Sequence, residues 1–199
     1  MAEAREVLRR RQLLKRCCAL GLSLPAVAHA QFGSDPAASA PPEIDDRLVF
    51  AFGEREGQIM RPEHLAVGAE QTFAWAKQAG SGIVRNGTRL YQLLVLKLDP
   101  EWLSEATRAR SVDGVVAYSG VCTHTGCDIT LFDAEQHHFQ CPCHESQFDP
   151  KDGARVIGGP APWPLAALPL KTIDGELAVA GTFEGRVGFQ QPGLSPFGI

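Results

Sequence analysis

The sequence predicts an all-β fold: an antiparallel β-sandwich with a smaller metal-binding subdomain inserted between its strands and one helix on its flank. Three observations carry that expectation. The apolar runs are short, such as Arg47–Phe52, Thr72–Lys77, Leu90–Leu98 and Val115–Tyr118, and turn residues bound them. Only one segment, after Asp99, repeats its apolar residues at helical spacing. Two compact cysteine and histidine groups, at 122–127 and 141–146, interrupt the strand pattern. At 199 residues the chain can bury one substantial core, and it shows no internal repeat.

Residues 1–30 read as a targeting segment. Arg9-Arg10-Arg11 leads through Gln12-Leu13-Leu14-Lys15 into an apolar stretch from Cys17 to Ala28, closed by small residues around Ala28-His29-Ala30. The Arg-Arg-x-Leu-Leu-Lys pattern resembles a twin-arginine signal, the address of proteins exported already folded, which implies a periplasmic location. The apolar run is shorter than the roughly twenty residues a bilayer span needs, so cleavage near Ala30 is expected. An uncleaved N-terminus would instead associate the domain with a membrane. Gln31 to Asp46, rich in Ala, Ser, Pro and Asp, reads as a flexible linker, and the domain proper is expected over 46–199.

Within the domain, Arg47–Phe52 is stopped by Gly53, Pro62–Gln71 reads as a loop, and Thr72–Lys77 as a strand. Gly80–Gly87 forms a turn-rich connection before the long run Leu90–Leu98, and Trp75 is expected in the core. Asp99 is placed to cap a helix, with Pro100 and Glu101 suited to its first turn. Trp102, Leu103 and Ala106 supply its apolar face, and Asp113-Gly114 ends it before the strand Val115–Tyr118. After the cysteine groups, Pro164–Leu170, Lys171–Ile173 and Leu177–Ala180 read as strands around a strong hairpin signal, Asp174-Gly175. The Gly- and Pro-rich remainder from Phe183 is expected to wrap the surface or meet a partner.

A formal net charge of −4 with aromatics at 8% and no basic stripe argues against nucleic acid as a partner. The chemistry is concentrated in Cys122-Thr-His124-Thr-Gly126-Cys127 and Cys141-Pro-Cys143-His144-Glu-Ser146. Thiolate and imidazole are soft to borderline donors, suited to zinc, copper or iron–sulfur and not to calcium or magnesium. Both groups sit in turn-like sequence with no helix following, unlike a zinc finger, and suggest a site shared between two hairpin tips. From the donors alone, a zinc- and disulfide-stabilised binding module without redox role stays open. His137 and His138 are adjacent, cannot both face one site from a strand, and are expected at the surface.

In type, order and spacing, the two groups resemble the Rieske iron–sulfur family. The resemblance covers roughly Asp46 to Ala180, but its specific motifs lie within Cys122–Pro162. It implies one 2Fe-2S cluster, with Cys122 and Cys141 on one iron and His124 and His144 on the other. It also implies a disulfide between Cys127 and Cys143. Two ferric ions and two sulfides carry a formal charge of about +2, which two thiolates cancel. Such a cluster takes an electron roughly several hundred millivolts more readily than an all-cysteine one.

Four neighbours are implied around the cluster. Ser146 stands where the family has a hydroxyl directed at a bridging sulfide, and Gly158–Pro162, with Gly159 and Pro160, resembles the proline loop covering the third side. Phe148 departs from the tyrosine of quinol-oxidising relatives, implying a lower potential. Thr125 and Glu145 replace the Leu and Gly usual there. The resemblance implies a redox subunit without a substrate site of its own, paired with a catalytic or quinol-oxidising partner subunit and a c-type cytochrome. Ubiquinol–cytochrome c reductases and arsenite oxidases both contain such subunits, and the missing long anchor, Thr125 and Phe148 favour the second comparison. A Rieske oxygenase's catalytic domain has no room in this chain.

Overall fold

The structure, a computed structural model, describes residues 35–189, so the expected signal segment at 1–30 lies outside the described residues. The first strands are β1 (Arg47–Phe50), β2 (Thr72–Lys77), β3 (Leu93–Lys97) and β4 (Val115–Ser119). Then come β5 (Leu131–Asp133), β6 (His138–Gln140), β7 (Gln147–Asp149) and β8 (Arg155–Gly158). Finally β9 (Leu170–Ile173) and β10 (Glu176–Val179) return to the first group. A six-stranded antiparallel sheet has the order β4-β3-β2-β1-β10-β9, and β5-β6-β7-β8 form a second sheet inserted between β4 and β9. The expected all-β fold with an inserted subdomain is what the chain adopts.

The run at β3 lacks polar alternation because both of its faces are buried. Leu94 and Leu96, with Val116 and Tyr118 of β4, join a core that includes Cys122, Phe139, Cys141 and Phe148. Leu93 and Val95, with Val115 and Ala117, face the other way, into a core with Leu48, Met60 and Leu177. The two-residue period of the strand thus deals alternate side chains to two cores, each buried Leu stabilising by about 1.5–3 kcal/mol. Trp75, expected in the core, is half-buried.

The predicted helix is broken in two. Asp99 caps a 3-10 turn, Pro100–Trp102, by accepting from the Glu101 N–H at 2.9 Å. Leu103 is then extended and buried, and the Ser104 N–H donates to the Lys151 carbonyl at 2.9 Å, tying this segment to the turn after β7. Only then does α1 (Glu105–Ala109) begin, capped by the Ser104 side chain. Its buried residue is Thr107, not Ala106, and Trp102 is exposed, with its ring 4.9 Å from that of His137. Two further expectations are corrected. Of Pro164–Leu170 only Leu170 is in a strand, and Leu165–Leu168 form a buried connection in which Ala167 bridges Tyr118 and Glu184. His138 is buried in β6, while His137 lies in the preceding turn at φ 53°.

The segment whose composition predicts a flexible linker is packed from Asp35 on. Arg85, itself buried, donates through Nε to Asp46 at 2.6 Å, pairs with Glu43 at 2.8 Å and donates to the Ala37 carbonyl. The Gly87 N–H donates to the Ala38 carbonyl at 2.9 Å. Local composition predicts mobility; a buried guanidinium 39 residues away in sequence overrides it.

Tyr118 ties the two sheets, its hydroxyl donating to the Pro150 carbonyl at 2.8 Å. Burial pushes this phenol up from 10.0 to about 12, with Arg110 pulling the other way. The folded state therefore keeps the proton after the unfolded chain has lost it. Its contribution is complete below about pH 10 and is lost as the pH rises through about 12, about 2–3 kcal/mol in all. Thermal unfolding followed across that range should fall more steeply for the native chain than for Tyr118→Phe; parallel slopes would refute the assignment.

Candidate metal centre

Two loops of the same construction meet at the end of the inserted sheet. In the first, after β4, the Cys122 N–H donates to the Cys127 carbonyl at 2.8 Å and the Gly126 N–H to the Cys122 carbonyl at 3.0 Å. In the second, between β6 and β7, the Cys141 N–H donates to the Ser146 carbonyl at 2.8 Å and the Glu145 N–H to the Cys141 carbonyl at 3.0 Å. Each ring needs a left-handed residue at its fifth position. Gly126 takes it at φ 81° and Glu145 at φ 58°. A glutamate there costs about 1 kcal/mol that glycine does not.

The loops are joined by a disulfide between Cys127 and Cys143. Cys122 and Cys141 remain free thiols, each 1% exposed. Three sulfurs, those of Cys127, Cys141 and Cys143, lie within 4.8 Å of one another, but the disulfide removes two of them as thiolate donors. The His124 and His144 rings lie 4.7 Å apart at 88°, His124 half-buried and His144 exposed.

Burial pushes the Cys122 thiol up and the neighbouring Cys141 thiol adds to that, while the His124 backbone N–H and the Ser146 hydroxyl pull it down. The His124 Nδ1 atom is buried and has no hydrogen-bond partner among the described residues. An orphaned buried imidazole nitrogen costs free energy unless something binds it. Two reduced buried sulfurs, a bare imidazole nitrogen and a second imidazole beside it fit a group that takes two thiolates and two imidazoles.

A third loop, Gly158–Pro162, closes the side. Gly159, at φ 79°, lies so close to the second loop that a Cβ would stand 2.5 Å from Ser146 Cα and 2.8 Å from the Glu145 carbonyl oxygen. The Ala161 N–H donates to Ser146 Oγ at 3.1 Å, and just past the loop the Trp163 carbonyl accepts from the Thr123 hydroxyl at 2.6 Å, so this segment touches both others. Pro160 is exposed on it, and Phe148 is fully buried in β7 opposite Phe139. The structure thus brings the two cysteine loops, their histidine rings and Ser146 to one place, beside the Gly158–Pro162 loop. It sets His137 and His138 apart, in the turn and strand leading to Cys141. Sequence reasoning missed Arg89 and Phe189, which reach the first loop from distant segments and carry no local signal.

A 2Fe-2S group of mixed cysteine and histidine ligation is what this donor set fits. A profile of the Rieske 2Fe-2S domain matches residues 94–169. A cytochrome bc1 complex Rieske iron–sulfur subunit of Streptomyces lividans is 40% identical over 133 residues, 65% of this chain and 78% of that one. The chain belongs to the Rieske iron–sulfur protein family. The namesake subunit of Mycobacterium tuberculosis H37Rv is 32% identical over 160 residues, 71% of this chain but 37% of that longer protein. A Haloferax mediterranei relative, provisionally named a respiratory nitrate reductase Rieske subunit, is 39% identical over 106 residues, 52% of this chain and 47% of its own. Among solved structures, the ferredoxin of carbazole 1,9a-dioxygenase from Nocardioides aromaticivorans IC177 aligns with a TM-score of 0.40 and 22% identity, over 61% of this chain and 93% of its own.

Proposed function

We propose that Cys122 and Cys141 hold one iron of the cluster and His124 and His144 the other. In this reading the domain, residues 46–199, is the exported Rieske subunit of a bc1-like complex, taking single electrons from quinol and passing them to a c-type cytochrome. The observation that carries it is the pairing of two buried free thiols with two imidazoles 4.7 Å apart at the rim. When bound, the cluster supplies one-electron chemistry at a potential raised by histidine ligation. The chain's own residues supply access and balance. His144 is exposed, so its ring can take a hydrogen bond from a donor at the surface, whereas His124 is half-covered. Ser146 offers a hydroxyl to the Cys122 sulfur, which favours the form carrying more negative charge. The buried thiols exclude water from the sulfur side.

The names of the Streptomyces and Mycobacterium relatives support quinol as the electron source. The polar Thr125 and Glu145 support the other donor, an exported oxidoreductase. Among the described residues no helix is long and apolar enough to cross a membrane. The twin-arginine-like start supports periplasmic delivery. Co-purification from native membranes separates the two donors: a b-type cytochrome subunit accompanying the chain is expected, and a stable pairing with a dehydrogenase free of b-type haem would overturn the quinol reading. Iron and acid-labile sulfide should be present in equal amounts, and zinc in their place would favour the binding-module alternative.

Phe148 leaves its place in β7 without a hydroxyl. Phe148→Tyr should add a hydrogen bond toward a cysteine sulfur and raise the reduction potential by about 50 mV, the counterpart of about 1 kcal/mol. Protein-film voltammetry reads this directly, and an unmoved potential would count against it.

A further inference from the structure

The two cysteine loops are held in different ways. The second is covered by Gly158–Pro162, within the span that the family profile matches. The first is gripped from outside that span, by Arg89 and Phe189. Arg89 opens a 3-10 turn, Arg89–Tyr91, capped by Thr88, just before β3. Its Nη1 donates to the Gly126 carbonyl at 2.6 Å and to Asp128 Oδ1 at 2.6 Å. The Phe189 ring also lies against Gly126, where an added Cβ would clash with its Cδ1 and Cε1. These two segments also brace each other, since the Tyr91 and Phe183 rings stack at 6.4 Å and Gly188 lies against Leu90 and Val121.

We propose that Arg89 and Phe189 are positioning residues that clamp the loop carrying Cys122 and His124, and that the Arg89–Asp128 pair sets the cluster's reduction potential. The inference rests on the ligand assignment above. Gly126 is the hinge of that loop: its N–H closes the ring onto Cys122 and its carbonyl is taken by Arg89. With two thiolates the oxidised centre is formally neutral and the reduced one carries a single negative charge. A cation beside the loop therefore favours the reduced form, and an anion the oxidised form. Both Arg89 and Asp128 are about half exposed, so each effect is partly screened by solvent.

The test is the potential of cluster-loaded protein by film voltammetry in R89Q and D128N. At a fixed electrode potential R89Q should raise the oxidised-to-reduced ratio by about two- to tenfold, and D128N should lower it by a comparable factor. Opposite signs are required, because a purely mechanical role for the pair would shift both variants the same way or neither. Shifts of the same sign, or no shift in either variant, overturn the inference. D128N removes only an exposed carboxylate, so it keeps the test alive if R89Q loads poorly: an unmoved or lowered potential in D128N is then sufficient to overturn it. Hydrogen exchange of the Gly126 amide should quicken in F189A, and unchanged protection there removes Phe189 from the clamp. Native protein with no iron and no acid-labile sulfide would instead sink the ligand assignment itself, whereas a loaded cluster with unmoved potentials sinks only the clamp.

Discussion

Cys141→Ser is expected to abolish the visible absorption and paramagnetic signal of the cluster altogether, with the disulfide intact. Serine nearly matches cysteine in size, and the site is 1% exposed, so the loops themselves have no steric reason to rearrange. The loss is chemical. A hydroxyl is a hard, weakly acidic donor that does not replace a thiolate on iron, and three remaining ligands leave one iron short. Because the site binds its group only when folded, the unliganded variant also loses the stabilisation that binding contributes, and its thermal unfolding midpoint should drop. His137→Ala is the matching control: that ring lies beside Trp102, at 4.9 Å, away from the cysteine loops, and the cluster should load normally. Iron and sulfide analysis of both variants checks the pair of statements. A fully loaded Cys141→Ser protein would disprove the assignment.

Asp46→Ala should cost about 3–5 kcal/mol of folding stability, read as a lowered midpoint in urea. The carboxylate is 3% exposed and its partner Arg85 1% exposed, and they meet at 2.6 Å. Asp46 also accepts from the Glu43 N–H at 2.9 Å, holding the turn that leads into β1. Alanine leaves a buried guanidinium with Glu43, which is 60% exposed, as its remaining carboxylate. The penalty is that of a stranded charge, not the net worth of the pair. Replacing both partners, as in Asp46→Leu with Arg85→Met, should therefore recover most of the loss. A double variant as unstable as the single one would show that hydrogen-bond geometry, and not charge burial, is what matters here.

These two cases differ in how they could be read from the sequence. Cys141 announces itself: a Cys-Pro-Cys-His-x-Ser run paired with Cys-x-His-x-Gly-Cys is a local pattern whose donor types restrict the ligand by chemistry alone. Asp46 and Arg85 give no such signal. Each is an ordinary charged residue in a polar stretch, and only burial makes them decisive. The same holds for Arg89 and Phe189, which reach Gly126 from 37 and 63 residues away.

The strands followed the same division. Thr72–Lys77 matches β2 end for end because its side chains feel mainly its own pleat. The helix expected after Asp99 breaks because Leu103 is drawn into the core and Ser104 bonds Lys151, forces that spacing along the chain does not encode. His138 was expected outside and is buried, since the inserted sheet packs that end of β6 inward.

By itself the sequence determined the strand-rich class, the two donor groups, the family and the cluster, because ligand chemistry and two-residue alternation are local properties. The tertiary structure alone decided which face of each strand meets which core, where the helix breaks, how the segment before β1 is tethered, and what grips the loop at Gly126. Those outcomes depend on contacts between distant residues whose free energy exists only once burial has removed water from between them.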